Sequence, residues 1–490
     1  MNLTIITEDK TIKTEYSYPA HLSELLAITG NSLALPCNGN GKCGKCKAIA
    51  YGNLSPLNEI EKAHLTEEER KGDVRLLCQA IALGDVTVHY IKAPTKMQGV
   101  IDGYMTKMED VVSDYSDGYG LAFDIGTTTV AGYLYKFPSK TPIATLCEEN
   151  TERVHGADVI SRIEFALSGG REQLHQEITS QIKEMSEKLL QDKTVTSTVI
   201  TGNTAMLSFY CNVDTEGLSH APFIPESLFG LWEDKVYFPP CMDAFVGADI
   251  TTSILACGLT EHQTALLLDI GTNGEMALWH NDTLTCCSTA AGPAFEGVGI
   301  SSGIEARSGA ISKVSYENKK VAYETIDHAP PIGLCGTGVL DTVATFLKMG
   351  IIDETGYMEE DVSIGDSGII FTCEDVRQVQ LSKSAIRSGI EVLLYEAGIT
   401  ADDLEKVYIA GGFGSYISPH SAEVIGMIPS GMKDKVCAIG NGAGTGASML
   451  LFRRSLAFEA ESIAQSAKVI NLANHPKFSE YFMEEMMFPC

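Results

Sequence analysis

The 490-residue sequence has no long apolar run and few basic residues. Its longest apolar stretches, such as ALLLDI, have the length of a strand, whereas a membrane-spanning helix needs about 20 apolar residues. The 36 basic residues against 64 acidic ones give a formal net charge of −28, which disfavours binding to nucleic acid or to an anionic membrane. The opening residues also contain no basic segment followed by an apolar one. We therefore expect a soluble, cytoplasmic protein without nucleic-acid or membrane partners.

Cysteine is present at 14 positions, and it is concentrated in one glycine-rich stretch, PCNGNGKCGKCKAIAYG. This stretch holds Cys37, Cys43 and Cys46 with the spacing C-x5-C-x2-C, and Cys78 follows in LLCQA. Three thiolates from one loop and a fourth from a distant segment are the ligands that a [2Fe–2S] cluster needs, and the plant-type ferredoxin spacing differs by one residue in the first gap. The glycines permit positive φ angles, which let backbone N–H groups point at the sulfurs.

Two other interpretations of these cysteines are a structural zinc site and disulfides. Zinc sites usually pair two Cys-x2-Cys motifs, whereas here Cys43 and Cys46 form one and Cys78 stands alone. Disulfides are rare in a reducing cytosol. The pattern therefore favours the cluster. In its cysteine spacing the segment of residues 1–93 resembles the [2Fe–2S] ferredoxins, which implies a β-grasp, ferredoxin-like α+β domain.

The apolar and polar alternation around the cysteine loop predicts a small mixed sheet. Antiparallel strands are predicted from LTIITED and TIKTEY, a helix from HLSELLAITG, and further strands from CKAIAYG, VRLLCQA and VTVHYIKA. We therefore expect Cys78 to lie within a strand. Over residues 94–118 the periodicity gives way to glycine, serine and aspartate, which predicts a connection between domains.

The remaining sequence repeats one motif, in LAFDIGTTTVAGYLY and again in LLLDIGTNGEMALWH. Each copy predicts a buried strand, an Asp-Ile-Gly-Thr turn and a second strand. In such a hairpin the glycine lets the backbone approach a phosphate, the threonines supply N–H and O–H donors, and the aspartate can hold Mg²⁺ or orient a water. Two facing copies can grip a polyphosphate from both sides.

Three further segments support a nucleotide site. VYIAGGFGSYI predicts a strand and a glycine-rich loop that lets the backbone approach an adenine or ribose, while CAIGNGAGTGASMLLF and STVITGNTAMLSF each predict strand, turn and helix. Together these segments resemble the nucleotide-binding pattern of the acetate kinase, sugar kinase, Hsp70 and actin superfamily. The resemblance implies a two-lobed, ribonuclease H-like α/β ATPase with ATP in the cleft between its lobes.

The same resemblance implies the residues of the ATP site. The catalytic pair is Asp124 and Asp269, and the division of water orientation and Mg²⁺ binding between them stays open. The residues that contact ATP are Gly126, Thr127 and Thr128 on the first hairpin, Gly271, Thr272 and Asn273 on the second, and Gly411, Gly412 and Gly414 in the adenosine loop. The predicted domains are a ferredoxin domain at 1–93, the connection at 94–118, an ATPase at 119–465 with lobes of about 119–264 and 265–465, and a tail at 466–490.

A [2Fe–2S] domain joined to an ATP cleft resembles the ATP-dependent reductive activators of corrinoid-dependent methyltransferases. Further segments that carry this resemblance are HGADVISRI, AGPAFEGVGISSGI, GLCGTGVLD and FSEYFMEEMMFP. The resemblance implies one-electron reduction of an inactive Co(II) corrinoid protein to Co(I). It also implies a [2Fe–2S] cluster, ATP and Mg²⁺ as cofactors, and an external low-potential electron donor. Family analogy favours a homodimer, although no segment indicates the interface.

The chain differs from longer family members, which insert another domain between the ferredoxin and ATPase parts. Two other functions stay open on the sequence. One is a small-molecule kinase whose ferredoxin domain senses redox state, and the other is an Hsp70-like assembly factor that delivers the cluster to a client. The sequence does not identify the corrinoid protein, the electron donor or the nucleotide step that drives the transfer.

Overall fold

The computed structural model describes residues 1–7, 11–17, 19–29, 41, 44, 46–89, 105–317, 320–412, 414 and 416–489. The chain divides into two compact units, one of residues 1–95 with 149–178 and the other of residues 96–148 with 179–490. Cys37 and Cys43 lie outside the described residues. Across these ranges, no helix combines the length and the apolar character that a membrane crossing requires.

The first unit contains a mixed sheet with six described strands. The strands are β1 (Asn2–Ile6), β2 (Thr11–Glu15), β3 (Ala20–His21), β4 (Lys47–Leu54), β5 (Val74–Leu76) and β6 (Ile81–His89). The helices that begin in this unit are α1 (Leu22–Ile28), α2 (Glu59–His64), α3 (Glu67–Lys71), α5 (Val159–Phe165) and α6 (Arg171–Leu190), and α4 (Met105–Asp110) lies in the predicted connection.

The order of this first sheet is β2-β1-β6-β4-β5, with β3 paired to β6. The central strands β1 and β6 are parallel, whereas β2 and β4 run antiparallel to their neighbours. The alternation in β1 and β6 buries Leu3, Ile5, Val86 and Val88 on one face, where they pack in one core. This is the strand arrangement expected of a β-grasp sheet.

The prediction that Cys78 lies within a strand is wrong. Strand β5 ends at Leu76, and the chain then turns. The backbone N–H groups of Gln79 and Ala80 both donate to the Leu76 carbonyl oxygen, at 2.8 and 2.9 Å. The apolar letters of VRLLCQA suggest a continuous strand, but these local hydrogen bonds close a turn around Cys78.

The second unit contains two six-stranded sheets among its described residues. The strands of the first are β7 (Tyr119–Ile125), β8 (Thr129–Lys136), β9 (Ala144–Glu149), β10 (Val195–Gly202), β11 (Leu231–Glu233) and β12 (Val236–Phe238). The strands of the second sheet are β13 (Thr264–Ile270), β14 (Gly274–His280), β15 (Thr283–Thr289), β21 (Lys406–Ala410), β22 (Val436–Gly440) and β23 (Lys468–Ile470). Two smaller sheets consist of β16 (Ala310–Glu317), β17 (Lys320–Thr325) and β18 (Gly333–Leu334), and of β19 (Val362–Ser363) and β20 (Ile370–Phe371). The helices are α7 (Thr204–Tyr210), α8 (Glu216–Ser219), α9 (Ala248–Cys257), α10 (Gly336–Met349), α11 (Cys373–Ala397), α12 (Pro419–Val424), α13 (Gly442–Phe452), α14 (Leu456–Ser466) and α15 (Phe478–Glu484).

The two sheets repeat one topology. The first sheet has the order β11-β12-β10-β7-β8-β9 and the second has the order β22-β21-β13-β14-β15-β23. In each, the leading strand pairs antiparallel with the next strand and parallel with a later one, as β7 does with β8 and β10, and β13 with β14 and β21. This duplication confirms the predicted two-lobed, ribonuclease H-like α/β fold.

Helices α9 and α13 approach each other closely within this second unit. A Cβ atom added at Gly446 would lie 2.0 Å from the Thr252 carbonyl oxygen, so this crossing requires a residue without a side chain. The neighbouring Ala447, Leu450 and Ile254 are buried in one core. The crossing therefore fixes how α13, which follows β22, packs on α9 of the first lobe.

We expect Gly446→Ala to lower the free energy of unfolding by about 2 kcal/mol, since overpacking a tight contact typically costs 1–3 kcal/mol. Both tryptophans, Trp232 and Trp279, lie in the second unit, so denaturant unfolding followed by tryptophan fluorescence reports this unit. Gly274→Ala is the matched control, because its added Cβ would meet atoms at 3.3 Å or more. Equal losses in the two variants would contradict this account.

Candidate functional site

The two described cysteines of the predicted cluster lie side by side. The Sγ atoms of Cys46 and Cys78 are 3.2 Å apart, and both side chains are buried. The backbone N–H of Leu77 donates to the Cys46 carbonyl oxygen at 2.9 Å, which ties the two segments together. The predicted ligands Cys37 and Cys43 lie outside the described residues, so the complete ligand set stays a prediction.

The surroundings of Cys78 favour its thiolate form. Hydrogen bonds lower the pKa of Cys78 to about 6, first from Cys46 and then from Gln79 and the backbone of Gly41, while burial acts in the opposite direction. Gly41 and Gly44 have φ angles of 73° and 61°, as predicted for a loop that points N–H groups at sulfur. Because thiolates are the metal-binding form of cysteine, the described residues fit an iron–sulfur cluster.

Each of the two predicted phosphate hairpins has a three-residue turn. Gly126, Thr127 and Thr128 form the turn between β7 and β8, and Gly271, Thr272 and Asn273 form the turn between β13 and β14. The Gly126 N–H donates to the Thr129 carbonyl oxygen, and the Gly271 N–H donates to that of Asn273, both at 2.9 Å. The turns therefore hold their hydroxyl-bearing residues at the ends of the two leading strands.

Four carboxyl groups of this unit form a cluster in which each lies within electrostatic reach of at least two others. Asp124 and Asp269 lie near the ends of β7 and β13, as predicted. Two further members, Asp249 near the start of α9 and Glu275 on β14, are not among the residues predicted from the sequence. Their side chains lie deep in the protein yet remain partly accessible to solvent, as expected of groups that line an open cleft.

Burial raises the pKa values of all four carboxyl groups, and neighbouring carboxylates add to this effect for Asp249, Asp269 and Glu275. Burial raises the pKa of Asp124 to about 6, and the Asn441 amide partly offsets this effect. Burial and the charge of Asp124 raise the pKa of Asp269 to about 7. The pKa values of Asp249 and Glu275 are also raised, by burial first and then by the neighbouring carboxylates. Such a cluster favours a bound cation.

The donor set fits Mg²⁺ that binds together with nucleotide. Within the described ranges, no group of three or more His, Cys, Asp or Glu side chains is arranged to hold a metal ion by itself. Mg²⁺ commonly retains several waters and takes one or two carboxylates together with substrate phosphates. Asp124 and Asp269, which flank the two phosphate hairpins, are suited to that role.

Two asparagines at helix starts reach the first hairpin. Asn203 precedes α7 and Asn441 precedes α13, and each side-chain oxygen accepts a backbone N–H of its own helix, at 3.0 and 2.6 Å. The side-chain nitrogen of Asn203 donates to Thr127 Oγ1 at 3.2 Å, and that of Asn441 donates to Asp124 Oδ2 at 2.9 Å. Because the helix occupies each oxygen, each nitrogen is directed to the hairpin.

The predicted adenosine loop lies beside the second hairpin. Gly411, Gly412 and Gly414 follow β21. Gly411 has a φ angle of 93°, and an added Cβ there would lie 2.7 Å from the Ile270 carbonyl oxygen and 3.0 Å from Asp269 Oδ1. A side chain at this position would therefore intrude on the second hairpin. The role of the loop in adenosine binding stays a prediction.

Glu275 could be identified from a difference between the two copies of the repeated motif. Glu275 occupies the position in the second copy that Val130 occupies in the first, and Val130 is fully buried on β8. A charged residue at a position that the repeat otherwise buries indicates a functional side chain. Asp249 has no such counterpart, because helix packing brings it to the cleft.

The fold and the site define an ATPase of the actin, sugar kinase and Hsp70 class, combined with a ferredoxin-like sheet that carries paired thiols. Residues 263–490 match the family described as the C-terminal domain of RACo, the ASKHA domain. Residues 119–262 match the RACo middle region. Together these matches cover most of the chain.

Three similar proteins agree with these matches. A corrinoid activation enzyme, RamQ, of Eubacterium limosum is 36% identical over 76% of this chain and 70% of its own length. A [Co(II) methylated amine-specific corrinoid protein] reductase of Methanosarcina barkeri is 27% identical over 76% of this chain and 77% of its own. The solved structure of a reductive activator for corrinoid, iron-sulfur protein has a TM-score of 0.69 and 25% identity, and covers 99% of this chain and 98% of its own. The chain therefore belongs to the RACo family of ATP-dependent reductive activators of corrinoid proteins.

We expect acid to weaken Mg²⁺ binding to the nucleotide-loaded protein. Mg²⁺ binds the ionised carboxylates, and Asp269 and Asp124, with pKa values of about 7 and 6, take up protons as the pH falls from 8 to 6. Titration of Mg²⁺ at fixed nucleotide should show an affinity about tenfold lower at pH 6 than at pH 8. An affinity that does not change with pH would show that neither carboxylate binds the ion.

Proposed function

We propose that this protein transfers one electron to a Co(II) corrinoid protein, which yields the Co(I) state, and that ATP hydrolysis drives the transfer. The observation that carries this proposal is the presence, in one chain, of the buried Cys46–Cys78 thiol pair and the duplicated phosphate-hairpin cleft. The names of the two curated relatives, a corrinoid activation enzyme and a corrinoid protein reductase, favour this function over the kinase and assembly-factor alternatives.

The cluster is of the [2Fe–2S] type, and its ligands are Cys37, Cys43, Cys46 and Cys78. When bound, it supplies a one-electron carrier of low potential. Cys46 precedes β4 and Cys78 follows β5, and because these strands pair antiparallel with Lys47 opposite Leu76, the two thiols lie at one end of the strand pair, where the turn after β5 holds Cys78 against Cys46. An external low-potential reductant is the electron source.

In the ATP cleft, the backbone N–H groups and threonine hydroxyls of the two hairpins bind the phosphates. Asp124, which accepts a hydrogen bond from Asn441, remains largely ionised at neutral pH and would hold Mg²⁺, and the ionised Asp269 would add its charge from the second hairpin. During hydrolysis, water adds to the γ-phosphorus, the bond to the β-phosphate oxygen breaks, and the water loses a proton. Asp269, whose pKa is raised to about 7 by burial and by Asp124, accepts that proton.

The coupling to electron transfer is a shift between conformations. The first lobe supplies Asp124 and the second supplies Asp269, so Mg²⁺ and ATP bind a closed cleft more tightly than an open one. A nucleotide can drive a change only through such differential affinity. The predicted domain boundaries, the homodimer and the cytoplasmic location are part of this proposal.

The proposed activity can be tested by anaerobic visible spectroscopy of a Co(II) corrinoid protein mixed with this protein and a low-potential reductant. We expect the Co(I) absorption band to appear with Mg²⁺ and ATP, and to be absent without ATP or with ADP. Reductant and corrinoid protein without this protein are the control. Equal Co(I) formation in the presence and absence of ATP would contradict the proposed coupling.

Two variants should separate the two halves of the activity. Cys78→Ala should abolish the cluster's visible spectrum while retaining ATP binding, because the thiol pair and the cleft use different residues. Asp269→Ala should keep the spectrum but reduce ATP hydrolysis at least 100-fold, since loss of a general base typically costs 10²- to 10⁴-fold. Both variants should fail to form Co(I). Loss of both properties in both variants would contradict two independent sites.

A further inference from the structure

A chain of hydrogen bonds leads from the start of α2 to the sulfur of Cys78. Asn58 precedes α2 and its side-chain Nδ2 donates to Gln79 Oε1 at 3.3 Å. Gln79 Nε2 in turn donates to Cys78 Sγ at 3.5 Å, which is within the range of a hydrogen bond to sulfur. Gln79 therefore connects a helix start to a proposed cluster ligand.

A backbone N–H fixes the donor-to-acceptor direction of these hydrogen bonds at the Asn58 end. Asn58 Oδ1 accepts the backbone N–H of Glu61 at 2.8 Å, so Asn58 offers its nitrogen to Gln79. A nitrogen donor engages Gln79 through the amide oxygen, which turns the amide nitrogen of Gln79 towards the sulfur. The Glu61 N–H can only donate, so it must be met by the oxygen of Asn58. The Asn58 nitrogen then meets the oxygen of Gln79, and the nitrogen of Gln79 is left to donate to Cys78.

A buried ion pair holds together the segments that contain these hydrogen bonds. Glu61 is fully buried, and both of its carboxylate oxygens accept hydrogen bonds from Arg75, each at 2.8 Å. Glu61 also accepts the backbone N–H of Leu76 at 3.2 Å. The start of α2 is therefore tied to β5, the strand that leads into Cys78, so the donor and the sulfur belong to one connected frame.

An N–H donor at a ligand sulfur affects the two redox states of a cluster unequally. Reduction adds one negative charge, part of which resides on the sulfurs, so the donor stabilises the reduced state more and raises the reduction potential. A higher potential makes the cluster easier to charge and a weaker donor to cobalt. The amide near Cys78 thus affects how much driving force ATP must supply.

We propose that Gln79 is a positioning residue that raises the reduction potential of the cluster by donating to Cys78 Sγ, and that Asn58 sets the orientation of its amide. This inference rests on the proposed function, because it requires a cluster ligated by Cys78. It concerns the potential of that cluster and not its assembly.

The first test is an anaerobic redox titration of Gln79→Met, monitored by electron paramagnetic resonance of the reduced cluster. Methionine keeps a similar length and removes the donor. We expect the one-electron reduction equilibrium to shift about fivefold towards the oxidised cluster, which is about 40 mV to lower potential at 59 mV per tenfold change. Iron content and the visible spectrum of the oxidised protein should match those of the unsubstituted protein.

The second variant tests the role of Asn58. Asn58→Ser keeps a good helix-capping oxygen but removes the amide that orients Gln79, so the potential should fall in the same direction by a smaller amount. Thr66→Ser is the matched control, since Thr66 caps the neighbouring helix α3 with the same capping pattern. This control should leave the potential unchanged.

An unchanged potential in Gln79→Met with a full complement of iron would overturn the inference. If Gln79→Met loses its cluster, Asn58→Ser decides the matter, and an unchanged potential in that variant counts against the inference. Loss of the cluster from both variants would assign Gln79 a structural role instead. Absence of iron and sulfide from the unsubstituted, anaerobically prepared protein would contradict the proposed function itself, which separates the two failures.

Discussion

The burial of four neighbouring carboxyl groups is the constraint on which the proposed ATP site depends. Burial raises the pKa values of Asp124, Asp249, Asp269 and Glu275, and neighbouring carboxylates add to this effect for the last three, so without a cation they cannot all be ionised at little cost. In the proposed mechanism, Mg²⁺ would relieve that cost when it binds with the phosphates. Because the carboxylates come from both lobes, the same neutralisation would favour closure of the site. Nucleotide turnover would then change the conformation of the second unit.

One local arrangement of hydrogen bonds recurs beside the proposed site residues of both units. Asn58, Asn203 and Asn441 each begin a helix, and each uses its side-chain oxygen to accept a backbone N–H of that helix. The remaining nitrogen then has a fixed direction, towards the chain that ends at Cys78 in one unit and towards Thr127 and Asp124 in the other. The helix cap thus determines that the nitrogen, and not the oxygen, of each amide faces the neighbouring group, whereas an amide without this cap could present either atom.

The sequence predicts those parts of the site that are local. The Asp-Ile-Gly-Thr repeats place Asp124 and Asp269 at strand ends because strand, turn and strand follow from consecutive residues. Asp249 reaches the cleft only through the packing of α9, and no local pattern marks it. Glu275 could be found, since it replaces a residue that the repeat otherwise buries. The apolar residues around Cys78 predict a strand, because composition alone does not show that the backbone N–H groups of Gln79 and Ala80 turn back to the Leu76 carbonyl oxygen.

The most direct test of the whole account is a single-turnover experiment without excess reductant. The reduced protein, freed of its donor, is mixed with the Co(II) corrinoid protein and frozen, and the electron paramagnetic resonance signals of the cluster and of Co(II) are quantified together. The account predicts that both signals fall by equal numbers of spins when Mg²⁺ and ATP are present and that both persist with ADP. Loss of the Co(II) signal while the cluster signal persists, or equal losses without ATP, would contradict it.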